Sequence, residues 1–206
     1  MIVKSFPRNG MGSNCYVVLD DSQRHAVVVD PSFSYDRVVA LLGFTPDFQG
    51  ILLTHGHADH MLSLKNWRES TGASVMIGRA DAYALDDPEA SCASLLGLGN
   101  RRFGEPDVRL SDGEEIAVGS ERLRVISTPG HSCGSLCYYC TGHLLSGDTL
   151  FASGGIGRSD LFGGDESALH ASVARLMKLP RDTVVYPGHG PETTIGNEIC
   201  FHRYFH

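Results

Sequence analysis

Thr54-His55-Gly56-His57-Ala58-Asp59-His60 places four metal-capable side chains within six residues, directly after the apolar run Ile51-Leu52-Leu53. In extended backbone, residues two apart project to the same side, so His55 and His57 can grip one ion together. Asp59 and His60 fall where the segment Met61 to Glu69 begins to read as a helix, and they can turn toward a second ion beside the first. This is not the spacing of a His-Glu-x-x-His helix, whose two His lie one turn apart. The plain alternative is a polar loop that happens to be rich in His. Clustered His and Asp far more often signal metal or catalysis.

Three later stretches repeat the placement, each a strand running into a glycine-containing loop that offers a ligand. Val125-Ile126-Ser127 leads to Thr128-Pro129-Gly130-His131, Leu144-Leu145-Ser146 to Gly147-Asp148, and Val184-Val185-Tyr186 to Pro187-Gly188-His189-Gly190. Glycine permits tight turns and close approach to a ligand. Any one of these His or Asp alone would read as a capped or solvated side chain. Together with the first cluster, they argue for a shared site.

The elements that must position these loops follow from the apolar patterning. Asn14 to Leu19 and His25 to Asp30 read as strands around the polar turn Asp20 to Arg24, and a helix begins at Ser34. Gly43 to Gly50 connects to a strand at Ile51-Leu53, and Ser74 to Ile77 forms another. In the second half, Glu115-Val118, Leu123-Ser127, Ser135-Cys140, His143-Ser146 and Thr183-Tyr186 read as strands, with a helix from about Glu166 to Leu179. Strands lead each half and strict βαβ repeats are few, which favours sheets packed face to face with helices outside; one mixed sheet covered by helices is the alternative. Residues 78–104 stand apart. Ala80 to Leu85 can form a short helix that Asp86-Asp87-Pro88 stops, and Leu95-Leu96-Gly97-Leu98-Gly99 then sets apolar side chains on flexible backbone. That stretch reads either as a lid or substrate wall, or as a surface excursion docking its leucines on the core.

At 206 residues, 42% apolar and 20% charged, the chain suits one globular domain over residues 1–206. A formal charge of −7 argues against a broad nucleic-acid surface. Met1-Ile2-Val3-Lys4-Ser5-Phe6-Pro7 has no long apolar core of a signal peptide, and no apolar run approaches the roughly 18 residues of a membrane span. The expectation is a cytoplasmic protein without membrane or nucleic-acid partners, its six Cys reduced. Cys133-x3-Cys137-x2-Cys140 matches the three-Cys spacing of radical iron–sulfur enzymes. Yet it runs through a strand in which Cys137 and Cys140 face opposite sides, so small strand residues are the better reading.

Through His55-x-His57-x-Asp59-His60 and the later His131, Asp148 and His189, the chain resembles the metallo-β-lactamase superfamily, nearly end to end and in order. The resemblance implies an α+β fold, a four-layer αββα sandwich with the site at one edge of the two sheets. It further implies one metal on His55, His57 and His131, a second on Asp59, His60 and His189, and Asp148 bridging them, with Asp59 and Asp148 as the catalytic carboxylates. A carboxylate has two oxygens and can bridge ions about 3.5–4 Å apart, which lowers the pKa of bridging solvent toward about 7. The donor set favours two divalent ions, zinc first and iron or manganese as alternatives.

Within that superfamily the wording is most similar to glyoxalase II-like (hydroxyacylglutathione hydrolase-like) enzymes. Thr128-Pro129-Gly130-His131-Ser132, Ser146-Gly147-Asp148-Thr149-Leu150 and Tyr186-Pro187-Gly188-His189-Gly190-Pro191 carry the likeness. Gly157-Arg158-Ser159-Asp160-Leu161 looks like the Gly-Arg-Ser/Thr-Asp loop of small single-domain members. The implied activity is hydrolysis of a small thioester, such as S-lactoylglutathione or a related acyl compound, by attack of metal-bridging hydroxide. The chain departs from glyoxalase II proper in ending soon after His189, with the tail Cys200-Phe201-His202-Arg203-Tyr204-Phe205-His206 in place of a helical extension. Glutathione recognition therefore does not carry over. Arg158 is either a substrate-carboxylate ligand or a brace for its own loop through Asp160.

The chief rival is an oxidoreductase similar to persulfide dioxygenases, with one iron on two His and an Asp. A flavodiiron-type reductase would want a carboxylate at His57, a β-lactamase commonly has Cys at Asp148, and a nuclease would want a basic recognition arm. A non-enzymatic metal-binding protein would take up metal without turnover.

Overall fold

Cys15 to Leu19 and Ala26 to Val29 are unbroken apolar runs, as strands covered on both faces require. In the computed structural model, which describes residues 1–6 and 9–202, they become β2 (Cys15–Leu19) and β3 (His25–Val29). With β1 (Ile2–Phe6), β4 (Asp47–Leu52), β5 (Val75–Gly78) and β6 (Val108–Leu110) they form one six-stranded sheet in chain order. The second sheet holds β7 (Glu115–Val118), β8 (Glu121–Ser127), β9 (Leu136–Cys140), β10 (His143–Gly147), β11 (Val184–Pro187) and β12 (Thr193–Thr194). Four α-helices are present among the described residues: α1 (Tyr35–Leu42), α2 (Leu64–Thr71), α3 (Glu166–Leu176) and the short α4 (Ile195–Glu198).

Alternation along each strand sorts the apolar side chains into three cores and so defines four layers. Val17, Val28 and Ile51 face Val38, Leu64 and Trp67 of α1 and α2. Their neighbours Val18, Val27, Val29 and Leu52 face the other way and meet Val118, Val125, Tyr138 and Leu145 of the second sheet. On its far side that sheet turns Ile126, Leu144 and Val185 toward Val173 and Leu176 of α3 and Ile195 of α4. The order is helices, sheet, sheet, helices: the α+β sandwich expected from the resemblance. Cys137 and Cys140 sit in different cores and Cys133 lies exposed in a loop, so the three thiols do not converge.

Strand direction decides where the loops go. β3 and β4 are parallel, so Asp30 and the His55 cluster leave the first sheet at the same edge. β8 and β10 are both antiparallel to β9, and β11 is parallel to β10. The loops bearing His131, Asp148 and His189 therefore leave the second sheet along one edge too. The two edges are bonded together: Leu136 N and the Tyr138 hydroxyl each donate at 2.7 Å, to Thr54 O and Leu53 O. Asn14 N donates to Gly188 O at 2.7 Å, and the Tyr16 hydroxyl to Pro187 O at 2.7 Å.

Several boundaries differ from the sequence reading. β4 begins at Asp47 rather than Ile51, because it pairs with the whole of β3 through a register shift between Ala26 and Val27. The helix expected over Met61 to Glu69 starts at Leu64 and runs to Thr71, since a 3-10 turn over Ala58–His60 precedes it. Ala80 to Leu85 lies in a 3-10 rather than α-helical stretch, Arg79–Asp86. β1 and β6 were not read, being short and half exposed. Pro7 of the N-terminal reading and Arg203 to His206 of the tail lie outside the described residues. No described helix is long and apolar enough to cross a membrane.

Trp67 anchors the outer helical layer: it is fully buried, stacks edge-on with Tyr35 and Phe48, and donates Nε1–H to Phe33 O at 2.7 Å. Trp67→Ala should lower the unfolding free energy by about 3–5 kcal/mol, through the cavity and the stranded carbonyl. The urea midpoint measures it, and a shift too small to resolve would refute this anchoring role.

Candidate metal centre

The sheet edges bring all seven expected side chains together. His55, His57 and His131 form one group of donor atoms within 4.8 Å of one another, and Asp59, His60 and His189 form another. His57 Nδ1 lies 2.9 Å from His131 Nε2, and His60 Nε2 lies 3.2 Å from His189 Nε2 and 3.5 Å from Asp59 Oδ2. Donors about 2.1 Å from a tetrahedral ion stand about 3.4 Å from each other, so these separations suit shared ions. Asp148 lies between the groups, with Oδ1 3.4 Å from His60 Nε2 and Oδ2 3.5 Å from both His131 Nε2 and His189 Nε2.

Hydrogen bonds behind the rings set which nitrogen faces inward. The Thr54 hydroxyl donates to Asp30 Oδ2 at 2.7 Å, so its 3.0 Å contact with His55 must accept from Nδ1–H. Nε2 of His55 is then left with a lone pair. His60 Nδ1 donates to the same Asp30 oxygen at 2.9 Å, and His131 Nδ1 to Arg158 O at 2.8 Å. In each case the outer nitrogen is engaged and Nε2 turns to the centre, the usual arrangement behind metal-ligating His. Asp59 Oδ2 is held from outside by the Ser13 hydroxyl at 2.9 Å.

Three buried atoms have no hydrogen-bond partner: His55 Nε2 and Asp148 Oδ1 at the centre, and His57 Nε2, on the ring whose Nδ1 turns toward His131. Buried polar atoms are ordinarily paired, and unpaired ones point to a missing ligand. Charge behaves consistently. Burial, reinforced by the neighbouring imidazoles, holds His55 well below its usual range; burial and His131 push His57 down to about 3. Both rings are neutral bases, as a cation requires. Burial would lower His60 as well, but Asp59, Asp148 and Asp30 outweigh it and push it up to about 10. That proton is one a cation would displace. Burial would raise Asp59, yet His60 and His189 hold it below the carboxylate range. The residues present therefore fit a pair of divalent cations.

Two glycines let the backbone come this close. Gly147 has φ +50°, and a Cβ there would stand 2.6 Å from Thr54 Oγ1. A Cβ on Gly188 would strike Asp148 Oδ1 and lie 2.7 Å from His60 Cε1.

Asp30 and Asp81 were missed as parts of the site. Asp30 ends β3 with φ +52° and binds Thr54 N at 2.8 Å besides the contacts above. The Asp30-Pro31 strand end was its one visible signal. Asp81, buried, accepts from Gly56 N at 3.0 Å, the Ser132 hydroxyl at 2.6 Å and Gly134 N at 2.6 Å. It thereby ties the turn between His55 and His57 to the loop carrying His131. Nothing in the sequence marks it, because all its partners are distant in the chain. Arg158 forms a two-pronged ion pair with Asp160, at 2.6 Å for both contacts, and also lines the cavity over the centre. Leu95 and Leu96 line that cavity as well, and Leu95 is 69% exposed, so the 78–104 segment walls the site instead of docking these two leucines in the core.

With sheets, edge and donor groups in place, the comparisons agree on a class. The profile of the metallo-beta-lactamase superfamily matches residues 8–189, and the chain belongs to that superfamily. It is 35% identical to the probable metallo-hydrolase YqgX of Bacillus subtilis, over 95% of this chain and 93% of that one. It is 36% identical to the hydroxyacylglutathione hydrolase of Gloeobacter violaceus, over 88% of this chain but 64% of that protein. Among solved structures, the BLEG-1 B3 metallo-beta-lactamase superposes with TM-score 0.88 at 34% identity, covering 99% of both chains. TTHA1623 in a di-iron-bound form gives 0.81 at 33% identity, covering 95% of this chain and 96% of that one. ETHE1 from Myxococcus xanthus gives 0.77 at 30% identity, over 98% of this chain and 83% of that one.

Asp30→Asn would leave one acceptor oxygen for three donors, so either Thr54 or His60 loses its orientation. Metal affinity should fall about 10–100-fold. Competition with a chromophoric chelator measures it, with circular dichroism of the metal-free protein as the folding control. Unchanged affinity would show that Asp30 does not orient the ligands.

Proposed function

We propose that the protein is a hydrolase using two divalent metal ions to cleave a small thioester, S-lactoylglutathione or a related acyl compound. The observation that carries this reading is that Asp148 reaches both donor groups, Oδ2 lying 3.5 Å from His131 of one and from His189 of the other, with Oδ1 toward His60. His55, His57 and His131 would hold one ion, Asp59, His60 and His189 the other, and Asp148 would touch both. Such a pair supplies ionised solvent near neutral pH and offsets the negative charge that develops on an attacked carbonyl. Zinc suits the mixed imidazole and carboxylate donors; iron and manganese suit them nearly as well.

The chain's own residues supply orientation and exclusion of bulk water. Asp59 Oδ2, kept ionised and held by Ser13, is an acceptor aimed at the reacting centre from beside His189, 3.2 Å away. Asp148 fixes the separation of the two donor groups, and the Cys92, Leu95 and Leu96 side of the cavity limits solvent there. The names of the B. subtilis and G. violaceus relatives are in keeping with hydrolysis.

A second reading has its own observation: His55, His60 and Asp148 also converge within 4.8 Å, and two His with one carboxylate is the donor set of non-haem iron oxygenases. The likeness to ETHE1 belongs with it. Thiol release from S-lactoylglutathione by metal-loaded protein, beside oxygen uptake with glutathione persulfide, separates the two. We expect thiol release, reduced at least about 100-fold in Asp59→Ala. Oxygen uptake without thiol release would overturn hydrolysis in favour of the dioxygenase.

A further inference from the structure

We propose that the site selects substrates whose acyl part is a short, uncharged aliphatic chain, seated against residues 91–96. This rests on the hydrolase reading and narrows it to a substrate class. The cavity over the donor groups measures about 270 Å³, slightly below the roughly 300–1,000 Å³ of sites that take drug-sized ligands. Beyond the metal-ligating side chains it is lined by Cys92, Leu95, Leu96, Phe151 and Leu161, with Arg158 the one charged lining group among them. A buried thiol behaves as a small hydrophobe, so apart from Arg158 these lining side chains are apolar.

Arg158 does not turn this into an anion site. Its Nε and Nη2 are both committed to Asp160 at 2.6 Å, and the pair carries no net charge. A peptide-like thiol such as glutathione would set its amides against the side chains of Leu95, Leu96, Phe151 and Leu161, which offer them no hydrogen bond. The polar leaving group therefore stays at the open mouth, and the cavity receives the acyl end.

The wall is anchored to the centre it covers. Ala58 N, between the ligands His57 and Asp59, donates to Ser91 O at 2.8 Å. Ala90, Ser91, Cys92 and Ala93 are buried, and Cys92 takes φ +58° to turn the chain outward. Leu96 N then bonds back to Cys92 O at 2.9 Å, which leaves Leu95 the most exposed large apolar side chain among the described residues, at 69%. Scattered exposed leucines are ordinary. This one stands on an anchored turn beside a cavity that Leu96, Phe151 and Leu161 also line, and an aliphatic chain would cover it.

The test uses full-length, metal-loaded protein and thioesters of one thiol, N-acetylcysteamine, with acetyl, butanoyl and hexanoyl groups. Values of kcat/KM should rise about fourfold per added methylene until the cavity fills. The double variant Leu95→Ser, Leu96→Ser should flatten the series, while Leu41→Ser, an exposed leucine elsewhere, should keep it. In parallel, calorimetry gives the Kd of acetate, butanoate and hexanoate, a readout that needs no turnover. Carboxylate binding that tightens with chain length and loses this trend in the double variant, without hydrolysis of any thioester, would sink the hydrolase reading and leave the apolar wall assigned. No dependence on chain length in either measurement, or a dependence unaltered in the double variant, overturns the proposal.

Discussion

Asp30 holds together what the rest of the site requires. One buried carboxylate accepts from Thr54 N, the Thr54 hydroxyl and His60 Nδ1, and through Thr54 it also sets the tautomer of His55. Without such a group, imidazoles packed this closely could satisfy one another by N–H···N bonds and the centre would collapse into a hydrogen-bonded cluster. With it, the Nδ1 protons of His55 and His60 are spent on the outside and their Nε2 atoms face the centre. A set of inward lone pairs beside two carboxylates is unfavourable when desolvated. It becomes stable when cations take the place of the missing donors, which couples metal binding to the integrity of this edge.

The fold makes that convergence possible through strand direction alone. Each ligand loop follows a strand end, and the parallel pairs β3/β4 and β10/β11, with β8 pointing the same way as β10 across β9, send every one of those ends to the same rim. The inter-sheet core of Val27, Val29, Leu52, Val125 and Leu145 then keeps the two rims facing one another. Bonds from Leu136 N and the Tyr138 hydroxyl to Thr54 O and Leu53 O lock the distance at the rim itself. Ligand spacing is thus a property of rigid sheets, with the loops setting only the last turn.

Much of this was legible in the chain. Strand-then-glycine-then-ligand recurs around His131, Asp148 and His189, and local patterning was enough to see it because ligand and strand are adjacent in sequence. The four layers were expected from the superfamily resemblance, since strand patterning favoured sheets packed face to face but left a single mixed sheet open. What stayed hidden is what depends on contacts between distant residues. Asp81 sits in an unremarkable 3-10 stretch and acquires meaning only from Gly56, Ser132 and Gly134. β1 and β6 are short and partly exposed, so their strand character comes from pairing with β2 and β5 and not from their own pattern. The onset of α2 shifted because His57 to Met61 spends its backbone on the ligand turn before the helix can start.

The same division between rigid rim and attached wall bears on specificity. Ligands stand at the ends of strands whose side chains fill the cores, so changing them disturbs the sheets. Leu95, Leu96, Phe151 and Leu161 stand on loops, and the 91–96 turn is hydrogen-bonded to the ligand turn by Ala58 N to Ser91 O. Substitutions in the wall can therefore reshape the cavity with little strain on the donor groups. Superfamily membership follows from the rim, whereas the choice of substrate follows from the wall. A chain that shares its whole length with one relative and much less of the length of another can share the rim with both. The apolar turn at 91–96, and not the donor set, is where this protein's own substrate preference is written.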